Sequence, residues 1–183
     1  MAKAASVRKV RYNVAVHFIL RDYRPGDFGA LWRIDQKCFA AGIAYSQREL
    51  GAYIRRRGAF TLVAQGLVPS QSEGDDFNGI LGFIVAETGR RGLAHIISID
   101  VVPHGRRLGV GSELLQAVED RLRSSRFQNV VLETAVDNAA ALAFYKRHHY
   151  SVVKVIPRYY PNGVDAFLMD KKLLNAEAAR RQP

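Results

Sequence analysis

The stretch from Ile96 to Leu115, IISIDVVPHGRRLGVGSELL, constrains this chain more than any other. An apolar strand closed by Pro103 runs through Arg106-Arg107-Leu108-Gly109-Val110-Gly111-Ser112 straight into a helix. That helix, from Gly111 to about Ser125, carries Leu114, Leu115, Val118 and Leu122 on one side. The first N–H groups of a helix have no intrahelical acceptor, and the helix dipole adds partial positive charge at that end. Gly109 and Gly111 let the backbone approach an anion without an obstructing Cβ, and Arg106 and Arg107 supply fixed charge. A strand, a glycine turn and a helix in this order predict a cradle for a diphosphate. The plain alternative is a glycine turn ahead of an ordinary helix.

Other phosphate loops do not fit. A nucleotide P-loop needs Gly-x-x-x-x-Gly-Lys-Ser/Thr, which is absent from the sequence. A dinucleotide fold needs Gly-x-Gly-x-x-Gly after an early strand. Here the turn lies past mid-chain, and Arg106 stands where the first glycine would be.

Outward from the cradle, hydrophobic periodicity orders the elements. A strand is expected over 16–22, then a break at Pro25-Gly26-Asp27 with Asp27 as helix cap. Phe28, Leu31, Ile34 and Cys38 or Phe39 follow at helical spacing. Ser46-Gln47-Arg48-Glu49 has the pattern of a capping box opening a second helix, which Gly58 ends. Strands are expected over 60–65, 79–87 and 93–102, with 68–78 an enlarged hairpin loop. After the cradle helix come a strand over 129–136, a helix over about 138–147, and strands over 150–156 and 164–171. The order β-α-α-β-β-β-α-β-α-β-β, without repeats, predicts one domain of mixed α/β (α+β) sheet spanning 16–174. A basic lead-in (1–15) and a tail (175–183) flank it.

The length of 183 residues suits one domain, and 48% hydrophobic residues suffice for a core. A net charge of +10 favours anionic partners, but the basic residues are scattered in pairs. That pattern reads as a solvated surface, with RNA or ribosome binding left open. The single cysteine, Cys38, rules out an intrachain disulfide, and no metal site is visible. No apolar run is long enough to span a bilayer and no signal-type core is present, so the cytoplasm is expected and membrane association is not.

Arg106-x-x-Gly109-x-Gly111 after a strand ending at Pro103 resembles the acetyl-CoA signature of the GNAT superfamily of N-acetyltransferases, and the element order matches that fold. The segment LETAVDNAAALAFYKR (132–147) is similar to the corresponding stretch of the ribosomal-protein N-terminal alanine acetyltransferases. RYYPNGVDA (158–166) resembles that subfamily's late hairpin. The resemblance implies acetyl-CoA as cofactor, with the pantetheine arm on backbone at Ile99, Asp100 and Val101. It places the diphosphate on Arg106, Arg107, Leu108, Gly109, Val110, Gly111 and Ser112. It makes Glu133 the proton acceptor, Tyr145 the proton donor, Asn138 a cofactor contact, and Tyr159 and Tyr160 the lining of the acceptor-peptide site. The residues admit plainer roles too: Asn138 as helix cap, Glu133 on a solvated strand face, Tyr145 as a core aromatic, and the tyrosine pair as hairpin packing. His149-Tyr150 departs from the usual Gly-Phe. His148 and His149, being adjacent on a helix, do not converge on one metal.

The implied reaction is direct attack of a neutral amine in a ternary complex. At pH 7 about one α-amine in ten is already neutral, against about one lysine in 2,500. Glu133 acting through a water is then a sufficient base for a protein N-terminus, ribosomal proteins included. Two alternatives stay open: a lysine or small-amine acetyltransferase, and a non-catalytic RNA- or ribosome-binding protein. Nucleic acid is not required by the first reading.

Overall fold

The computed structural model describes residues 17–39, 42–67 and 77–173. The lead-in at 1–15, most of the loop at 68–78 and the tail after 174 fall outside the described residues.

The expected order of elements is present throughout. Strand β1 (Phe18–Asp22) leads through a short 3-10 turn (Pro25–Asp27) into α1 (Phe28–Cys38) and α2 (Gln47–Arg55). Strands β2 (Ala59–Gly66), β3 (Ile80–Thr88) and β4 (Leu93–Val101) follow, then α3 (Val110–Ser124), β5 (Asn129–Ala135), α4 (Ala139–Arg147), β6 (Ser151–Ile156) and β7 (Ala166–Lys172). They build one seven-stranded sheet in the order β1-β2-β3-β4-β5-β7-β6. Only the β4–β5 pair is parallel.

Local chemistry explains the helix starts. Ser46 Oγ accepts from Glu49 N at 3.3 Å while Glu49 Oε2 accepts from Ser46 N at 2.9 Å, the expected reciprocal box. Asp27 behaves differently from the expectation. Its carboxylate accepts from Arg24 N at 2.7 Å and from the Arg21 guanidinium, so it closes the 3-10 turn and does not cap α1. Gly58 also shifts role, since α2 is already capped by extended Arg56, and Gly58 turns the chain into β2 with φ of 86°.

β3 is buried along Ile80–Ala86, as a strand covered on both faces must be. Helices α1 and α3 both pack on β3 and β4, around a core led by Phe83, Ile84, Leu31, Ile34, Leu114 and Leu115. β3 also lies tight on β4: a Cβ at Gly82 would stand 2.5 Å from the Asp100 carbonyl. That closeness fixes the end of β4 where the chain enters the cradle.

The α3 amphipathic pattern holds with one addition. Glu119, 1% exposed, sits on the buried side between Leu115 and Leu122. Lys171 Nζ donates to both its oxygens at 2.8 and 2.6 Å, Arg123 donates at 2.8 Å, and the Tyr150 hydroxyl at 3.1 Å. Such complete pairing is what makes a buried carboxylate tolerable.

Candidate active site

The parallel β4–β5 pairing spans only Leu93–Asn129, Ala94–Val130 and His95–Val131. Beyond those residues the strands part, and the far half of β4 loses its β5 neighbour. β4 is also bulged: Ser98 pairs with Val85 and Ile96 with Ala86, leaving Ile97 unmatched. The Tyr45 hydroxyl reaches the Ile97 carbonyl at 3.4 Å. A fork of this kind exposes strand backbone to a ligand, because amides and carbonyls without a ladder partner need one. Ile99, Asp100 and Val101 lie on the opened segment. The Val101 carbonyl accepts from Arg106 Nε at 3.1 Å, with Cys38 Sγ at 3.4 Å. Burial pushes the Cys38 thiol up to about 11, so it stays a protonated, weakly nucleophilic group.

The cradle follows at once. Pro103–Gly105 forms a 3-10 turn, Arg107 takes a left-handed conformation (φ 61°), and Gly109 is the left-handed N-cap of α3 (φ 85°). Among the described residues no side chain caps this helix, so the amides of Val110, Gly111 and Ser112 face outward from its first turn. Among the described residues a Cβ added at Gly109 would meet nothing within 4 Å, leaving clear room in front of the turn. Arg106 and Arg107 are exposed beside it. The helix begins one residue before the expected start because glycine at 109 accepts the positive φ. The Ser112 hydroxyl lies 2.9 Å from His148 Nε2 at the end of α4.

At the fork stands Glu133. Its side chain is 15% exposed, and its Oε2 lies 2.6 Å from His95 Nε2. It therefore does not face the solvated side of the strand. His95 was not foreseen as a site residue. A signal existed: the inward-outward alternation of β4 puts 95, 97 and 99 on one face. The Glu133 charge also bears on the Tyr159 phenol. Tyr159 and Tyr160 pack edge to face at 5.0 Å, and Tyr45 and Tyr53 pair at 5.1 Å. Burial, with the Glu133 charge next, raises the Tyr159 phenol above its ordinary range and Tyr160 to about 12. Both phenols thus stay neutral.

Tyr145, on α4, is 7% exposed and packs edge-on to Tyr150 at 5.7 Å and Phe144 at 5.3 Å. Burial, then the charges of Asp100 and Tyr160, hold its phenol well above the ordinary range. Asn138 caps α4: its Oδ1 accepts from Ala141 N at 3.0 Å. Asp100 on β4 and Asp35 on α1 are buried, and each has one carboxylate oxygen without a hydrogen-bond partner among the described residues. Burial raises Asp100 to about 8, with Asp35 and its charge adding to the shift. Burial likewise raises Asp35 to about 6. Among the described residues no cluster of His, Cys, Asp or Glu could hold a metal ion, and no helix is long and apolar enough to cross a membrane.

A forked mixed sheet followed by a glycine turn and a helix start without a side-chain cap is the architecture of acyl-coenzyme-binding transferases. The profile of the Acetyltransferase (GNAT) family matches residues 29–150, and the chain belongs to that family. An N-alpha-acetyltransferase of Sulfurisphaera tokodaii is 41% identical over 76 residues, 41% of this chain and 46% of that protein. The chain's matches span about half the length of such curated relatives. Among solved structures, Ard1 from Thermoplasma volcanium superposes with a TM-score of 0.74 at 26% identity, covering 86% of this chain and 99% of that one. The ribosomal-protein-S18-alanine N-acetyltransferase of Escherichia coli has the same fold (TM-score 0.72, 21% identity, 87% and 96% covered).

Proposed function

We propose that the chain moves an acetyl group from acetyl-CoA to a primary amine, the α-amine at the N-terminus of a protein or peptide, with ribosomal proteins among the acceptors. One observation carries the reading: the β4–β5 fork opens with the His95–Glu133 pair at its apex and the uncapped first turn of α3 at its mouth. Coenzyme and amine then meet from opposite sides of the sheet's gap. The residues fit the coenzyme, since the room before Gly109 and the outward amides suit a diphosphate, and Arg106 and Arg107 neutralise it.

Bound acetyl-CoA supplies the thioester acyl group. Arg106 to Ser112 hold its diphosphate, and the opened backbone at Ile99, Asp100 and Val101 orients its pantetheine arm. Glu133 accepts the proton that the amine loses as its nitrogen bonds to the acyl carbon, directly or through one water. His95 holds the carboxylate in place. Tyr145, kept protonated by burial, returns a proton to the departing sulfur. Tyr159 and Tyr160 hold the acceptor's first peptide groups beside Glu133. The α-amine suits this modest base better than a lysine does, because it is already partly neutral at pH 7.

The test is mass spectrometry of two matched peptides incubated with protein and acetyl-CoA. One has a free N-terminus and no lysine; the other has a blocked N-terminus and an internal lysine. Acetylation confined to the first supports the proposal. Acetylation confined to the second, or of free small amines alone, makes this a side-chain or small-amine enzyme instead.

A further inference from the structure

We propose that His148 belongs to the coenzyme site: its ring takes up a proton as the diphosphate settles on α3, and donates Nε2–H to Ser112. The Ser112 hydroxyl is thereby turned to donate toward phosphate. The inference rests on the cradle reading above.

Ser112 is the third residue of α3, so its amide is one of the first-turn donors that face an anion. Its hydroxyl lies 2.9 Å from His148 Nε2. The contact has two chemical forms. With a bare Nε2, Ser112 must give its proton to the ring and presents only lone pairs to an arriving phosphate. With Nε2–H, the ring donates, and the hydroxyl proton is available to phosphate. A protonated ring guarantees the second form and adds positive charge at the cradle.

The ring is well placed for this. His148 caps the C-terminus of α4, and its ring rests on Phe144 at 4.7 Å. A Cβ at Gly111 would touch that same Phe144 at 3.6 Å, so α4 is laid against the first turn of α3 at this point. The groups that bear on the ring are Arg147 and His149 from its own segment, Glu119 from α3 and Lys171 from β7. Burial, then Arg147, hold His148 below its ordinary value, with Lys171 and His149 in the same direction and only Glu119 opposed. A diphosphate brings the negative charge that reverses this balance. The proton comes from solvent and lands on the ring nitrogen that was bare. By linkage, coenzyme affinity rises as pH falls toward the free ring's lowered value, and the gain is lost above the bound value.

The experiment is calorimetric titration of coenzyme A into the full chain at pH 7, in buffers of different ionisation enthalpy, with wild type and His148→Gln. Gln keeps a donor for Ser112 but cannot titrate. Wild type is expected to take up a fraction of a proton more than the variant. His148→Gln weakens binding about threefold to tenfold at pH 6, the net scale of one hydrogen bond, and matches wild type at pH 8. Ser112→Ala is expected to weaken binding similarly at pH 6, with no further loss in the double variant. Equal proton uptake in both proteins, or none in wild type, overturns the assignment while leaving the cradle intact. A wild type that binds no coenzyme overturns both.

Discussion

His95 Nε2 lies 2.6 Å from Glu133 Oε2, across the point where β4 and β5 stop pairing. A contact this short between two acceptor-capable atoms requires one proton between them. The carboxylate at the fork is therefore held by a partner on the neighbouring strand, and the two side chains act as a unit.

Removing either member should show that. Glu133→Gln is expected to lower kcat about 100-fold, the ordinary worth of a positioned base. His95→Ala should lower it about tenfold. The double variant should be no slower than Glu133→Gln alone, because groups that act together lose their effect once. Steady-state kinetics on a free-N-terminus peptide checks this; additive losses would separate the two residues.

Tyr145→Phe is expected to lower kcat about tenfold to 100-fold and leave the coenzyme dissociation constant within about twofold. Phe fills the same space between Phe144 and Tyr150, so a fall in rate without a fall in thermal stability isolates the hydroxyl. Full retained activity would remove Tyr145 from the chemistry.

Asp100 makes stability depend on pH. Its folded-state value is raised to about 8 by burial and then by Asp35, so the folded protein binds a proton that the unfolded chain releases near its ordinary value. That contribution is whole below about pH 4 and is lost as pH rises through about 8. Asp100→Asn should therefore raise Tm relative to wild type at pH 9 and change it less at pH 5. Equal shifts at both pH values would contradict the account.

His149 occupies the left-handed position that closes α4, with φ of 67°. Non-glycine residues are strained there. His149→Gly is expected to stabilise the fold by about 0.5–1 kcal/mol in urea unfolding, with turnover unchanged. Destabilisation would mean that the imidazole makes an interaction worth more than the strain.

Much of this was legible in the sequence. The Ser46–Glu49 box, the glycine turn that opens α3 and the strand-helix order rest on short-range patterns, and local patterns survive folding when nothing competes. Asp27 shows competition: Arg21 and the Arg24 amide claimed its carboxylate before α1 did. What stayed hidden is long-range. His95 and Glu133 stand 38 positions apart and meet only because a parallel pair forms and then fails. The bulge at Ile97 leaves no local mark, since neither glycine nor proline interrupts β4. The burial of Glu119 has no local mark either, since two of its three partners, Tyr150 and Lys171, are far from it in sequence.

The claim beneath all of this is that the first turn of α3 and its arginines hold a diphosphate. Arg106 now donates to the Val101 carbonyl, within reach of both cradle and fork. Calorimetric titration of coenzyme A into wild type and Arg106→Ala tests the claim most directly. We expect saturable one-to-one binding to wild type and about tenfold weaker binding to the variant, in keeping with loss of one charged hydrogen bond. No heat of association with folded wild type, or equal affinity in the two proteins, would contradict it.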